Sequence, residues 1–110
     1  MINIDANNIY LTRGNTASIT VELIDDNEPY IMTTGDKLTL SVKRRFPFND
    51  RVLEKTSTTG NFEFGVIDTI DLAFGEYDFD ITFYGANGNV DTVITGVFEI
   101  GKEAHTNVNS

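Results

Sequence analysis

Among the residue types that could do chemistry, histidine is represented once, by His105 in the polar C-terminal run GKEAHTNVNS. A Ser–His–Asp triad needs its imidazole held by a packed third group beside the nucleophile, and a tail residue does not supply that. The lone imidazole also excludes the usual multi-histidine metal sites. With no cysteine in the chain, disulfides, thiolate zinc sites, iron–sulfur clusters and cysteine nucleophiles are excluded together. Carboxylates remain. Asp78 and Asp80 stand two apart in a strand pattern and project from one face. They could contribute to a Ca²⁺ shell or form a glycosidase pair, although the latter needs a groove and one raised pKa. The preferred reading makes them solvated acids opposite an aromatic core side. The run DDNE at 25–28 lacks EF-hand spacing and reads as a turn. The glycines form neither a P-loop nor a dinucleotide fingerprint. A non-enzymatic chain is therefore expected, with no cofactor, metal or small-molecule substrate.

The strongest candidate for a working surface is KRRFPFNDR at 43–51. Lys43, Arg44, Arg45 and Arg51 surround Phe46 and Phe48, which flank Pro47 in a connection between strands. If the rings are exposed, they are adhesive anchors beside cations. If folded inward, they cap one end of the fold. The segment stands out because the chain carries a net charge of −9, yet six of its eight basic residues fall between 37 and 55. An acidic chain repels phosphate backbones, so nucleic acid is not an expected partner. The N-terminus, MINIDANNIY, shows no cation before an apolar run, so no signal peptide is expected. No apolar run is long enough to span a membrane.

The elements that must position these residues are strands. Ala17, Ile19, Val21 and Leu23 alternate with polar residues, as do Leu38, Leu40 and Val42, and Tyr77, Phe79, Ile81 and Phe83. Shorter strands are expected at Ile9–Thr12, Val52–Lys55, Phe62–Ile67, Val90–Thr95 and Val97–Ile100. RGN, DDNEP, TTGD, STTG and GANGN supply turns between them, with Asn87-Gly88 the clearest hairpin signal. Only DTIDLAFGE could form a short helical turn. One domain over residues 1–101 is expected, with a flexible tail over 102–110. Seven or eight short strands fit an all-β, Ig-like antiparallel sandwich, with a closed barrel as the structural competitor. Gly75, Tyr77 and Phe79 have the spacing of a tyrosine corner, with Phe79 where an immunoglobulin domain carries its second disulfide cysteine. Tyr77 is thus expected to be structural.

The order of motifs also resembles a family. Arg13–Thr16, Gly35–Lys43, Asp68–Ile81 and Gly88–Ile100 are similar to recurrent elements of small phage and prophage structural proteins of Firmicutes-type bacteria. The resemblance covers about positions 9 to 101, and departs from the pattern at Asn15 and Phe79. It implies an Ig-like virion component, assembled in bacterial cytoplasm and acting through contacts with other virion proteins or with copies of itself as a homo-oligomer. The alternative function is a carbohydrate-binding or adhesion module, Ca²⁺-assisted or not, using Phe46, Phe48 and Tyr84 as an aromatic platform.

Overall fold

Period-two patterning becomes strands where alternate residues can face one core. The computed structural model describes residues 2–4 and 8–102. Along them run β1 (Ile2–Ile4), β2 (Asn8–Thr12), β3 (Ala17–Thr20), β4 (Leu23–Asp25), β5 (Glu28–Tyr30), β6 (Lys37–Lys43), β7 (Arg51–Ser57), β8 (Asn61–Phe64), α1 (Val66–Thr69), β9 (Gly75–Tyr84) and β10 (Val90–Gly101). One sheet has the order β2-β10-β9-β6-β7, and the ladders β1-β4-β5 and β3-β8 form the opposing layer. The five-stranded sheet keeps two open edges, β2 and β7, so the fold is an Ig-like sandwich and not a closed barrel. Every ladder among the described residues is antiparallel except β2–β10, which is parallel.

The core lies between the layers. Leu38, Leu40 and Val42 of β6 and Tyr77, Phe79, Ile81 and Phe83 of β9 face inward, together with Phe98 and Ile100. Leu23, Phe62 and Phe64 meet them from the other layer. Burying each such aliphatic or aromatic side chain contributes about 1.5–3 kcal/mol. Two ring contacts tie the layers: Phe64 lies 6.1 Å from Phe98, and Tyr30 meets Phe83 edge-on at 5.7 Å.

Several expected strands are redrawn by non-local contacts. The alternating run 17–23 is not one strand. The Val21 N–H donates to the Gly60 carbonyl at 2.7 Å, outside any ladder. Gly60 has φ +98, and a Cβ there would lie 2.8 Å from the Val21 carbonyl oxygen. Leu23 then resumes in a ladder with β1 and β5. DDNEP holds a hairpin inside it: Asp26 and Asn27 both have positive φ, 53° and 67°, as a type I′ turn requires. Pro29 is tolerated because β5 is an edge. The two last expected strands are one, β10, with a register shift between Thr92 and Ile94. The helical turn starts at Val66, two residues before the expected segment, and cuts the preceding strand at Phe64. Of the expected 102–110 tail, residues 103–110, including His105, lie outside the described residues.

Candidate functional site

The segment 44–50 joins the paired residues Lys43 and Arg51 at one end of the sandwich. Three backbone bonds close it: Arg44 N–H to the Asp50 carbonyl at 2.9 Å, Phe48 N–H to Arg45 at 3.0 Å and Asn49 N–H to Arg44 at 3.1 Å. The Phe46–Pro47 peptide is cis and Asn49 sits at φ +58. With its main chain bonded to itself, the loop turns its rings to solvent. Phe46 is 85% exposed and Phe48 61%. Of the two arrangements open to this loop, the exposed one is observed.

The cations around these rings already have partners. The Arg44 guanidinium lies 4.3 Å over the Phe48 ring and donates to Asp50 at 2.7 Å. This bond holds the Asp50 carboxyl below its ordinary range. Arg45 reaches across to β9, pairing with Glu76 at 2.8 Å and Asp78 at 3.1 Å. Arg51 pairs with Glu54 at 3.3 Å. Lys43 makes no ion pair among the described residues. The basic segment is therefore less an uncommitted positive patch than a set of arginines that brace an aromatic tip. These pairs are half-exposed, and such pairs contribute about 0–1 kcal/mol each. Asp78 serves as an arginine partner. No group of three or more acidic, histidine or cysteine side chains among the described residues is placed to hold a metal ion.

A third ring joins the tip. Phe46, Phe48 and Phe74 line a shallow depression with Gly75 and Tyr77, and Arg13 stacks on Phe74 at 4.0 Å. Nearby in sequence, Val66, Ile67 and Ile70 of the helical turn are also exposed. The run VIDTI gives no sign of this, because a mixed apolar turn looks the same whether it points in or out. Gly75 and Tyr77 sit beneath the tip as the expected corner. Gly75 has φ +135, and the buried Tyr77 hydroxyl donates to the Ala73 carbonyl at 2.7 Å. Burial pushes the phenol's pKa up. Tyr84 lies seven residues further along β9, roughly 24 Å away, beside Lys37 at 5.0 Å. The three aromatics of a glycan platform are thus not brought together.

The opposite end is organised by Asp36, whose sequence context, TTGD, reads only as a turn. Its carboxylate accepts from the Tyr30 hydroxyl at 2.6 Å, the Thr33 N–H at 3.0 Å and the Ala86 N–H at 2.9 Å. The Thr33 N–H, then Tyr30, then Ala86 hold its pKa down at about 2. The same hydrogen bond raises the Tyr30 phenol. Beside this knot, Val21, Leu23, Pro29, Ile31 and Met32 line a groove of about 490 Å³.

No family model and no curated protein matches the sequence. Among solved structures, the fibronectin(III)-like modules of Clostridium thermocellum CbhA are similar at 9% identity, over 92% of this chain and 96% of that one, with a TM-score of 0.49.

Proposed function

We propose that the chain is a non-enzymatic structural or adapter module of a phage particle, in the tail, neck, baseplate or capsid surface, working through protein–protein contacts. The observation that carries the contact reading is the aromatic tip, with Phe46 at 85% and Phe48 at 61% exposure beside braced arginines. Exposed aromatics with arginine neighbours are the composition of interface anchors. They stand on a two-layer scaffold whose corner and turns are tied by buried hydrogen bonds, so a partner meets a preformed surface. The virion assignment is supported by the order of the four motifs over positions 9 to 101. A particle assembled in cytoplasm also suits a fold held by packed aromatics without disulfides.

The test is made on the particle and on the gene's surroundings. Purified particles should contain the chain at a fixed copy number, and terminase, portal or tape-measure genes should flank its own. Absence from particles, with metabolic genes on both sides, would overturn the proposal.

A further inference from the structure

The two ends of the sandwich are complementary in a way that folding does not require. At one end, residues 44–49, RRFPFN, carry two exposed phenylalanines and two arginines, Arg44 in a half-exposed pair with Asp50 and Arg45 with Glu76 and Asp78. At the other, residues 21–32, VELIDDNEPYIM, carry four acids and no base. That second segment frames the groove lined by Val21, Leu23, Pro29, Ile31 and Met32, and Ile31 is left 77% exposed. No lysine or arginine among the described residues lies within ion-pair distance of Glu22, Asp26 or Glu28. At about 490 Å³, the groove falls within the range of roughly 300–1,000 Å³ typical of sites that take a small organic group. An aromatic side chain fits such a volume.

The tip and the groove cannot meet within one chain. β6 runs from Lys37, paired with Tyr84, to Lys43, paired with Asp78 at the tip end. Its seven residues separate the two ends by about 20 Å. We propose that the Phe46–Phe48 tip of one copy seats in the Val21–Met32 groove of a second copy of this chain. The rings replace water against Leu23, Ile31 and Met32. Arg44, whose pair with Asp50 is half-exposed, exchanges toward Glu22 and Glu28 on the groove rim. Such a contact is heterologous: the pair retains one free groove on the first copy and one free tip on the second, so the arrangement continues as a ring or an open row. The inference deepens the contact-module reading, rests on it, and names the partner.

Two variants of the full chain test it by sedimentation velocity over a rising concentration series. Phe46→Ala/Phe48→Ala removes the tip, and Ile31→Arg places a cation in the groove. All three positions are exposed, and unchanged circular dichroism melts establish that both variants fold. The wild type should associate with concentration, and each variant alone should associate roughly tenfold more weakly or worse. Mixed in equal amounts, the variants should form a heterodimer and nothing larger, because only one intact tip and one intact groove remain per pair. A wild type that stays monomeric overturns the self-contact, as does a folded variant that associates like the wild type or a mixture that stays monomeric. Failure of the module reading itself registers elsewhere, as absence of the chain from particles.

Discussion

Asp36 and Tyr77 are polar groups whose burial is matched by their hydrogen bonds, and each fixes one end of the molecule. The Tyr77 hydroxyl donates to Ala73, so Tyr77→Phe should lose about 1 kcal/mol of stability by chemical denaturation, the usual net value of such a bond. Contacts made by the tip should be unaffected, and weakened association at unchanged stability would show a binding role instead. Asp36 ties β5, the 33–36 turn and the β9–β10 turn through one carboxylate. Its pKa falls from the ordinary 3.8 to about 2. Depressed in the folded state, it contributes stability that is complete above pH 3.8 and lost as pH falls toward 2. Melting temperature followed across that window should drop more steeply for the wild type than for Asp36→Asn, which is less stable at neutral pH. Parallel curves would contradict this. Gly75 sits at φ +135, with nothing within 4 Å of the place a Cβ would take. Its substitution by Ala should therefore cost about 1–3 kcal/mol through backbone strain alone.

At the scale of elements, legibility followed locality. The alternation in β6 and β9 is enough to place them, because both faces of each strand are set by the residues of that strand. The corner is legible for the same reason: Gly75, Tyr77 and Ala73 lie within five positions. The break between β3 and β4 is not, since β3 pairs with β8 while β4 pairs with β1 and β5, and Gly60 meets Val21 where the first pairing ends. Gly60→Ala should therefore destabilise more than Gly75→Ala, adding a backbone clash to unfavourable φ, and paired thermal melts would read the order directly. The β4–β5 hairpin carries a readable signal in Asp26-Asn27, hidden within the longer turn-forming run DDNEP. The tip residues are legible as a group, but their pairing is not. Arg45 finds Glu76 and Asp78 only because β6 and β9 lie side by side. These pairs are half-exposed, so Arg45→Ala should change global stability by no more than about 1 kcal/mol.

For the whole molecule, the separation of surfaces is the functional statement. The core fills the space between two layers, leaving an aromatic, arginine-braced end and an acidic, grooved end on a body of 44 × 33 × 22 Å. In the proposed self-contact, these two ends are the surfaces that meet. The claim is read most directly by titrating isotope-labelled chain with unlabelled chain and following backbone amide resonances. Shifts and broadening should appear at residues 44–49 and 21–32, with the β6 and β9 core amides unmoved. Perturbations confined to the Val66–Phe74 turn or to the β7 edge, or none at any concentration, would contradict it.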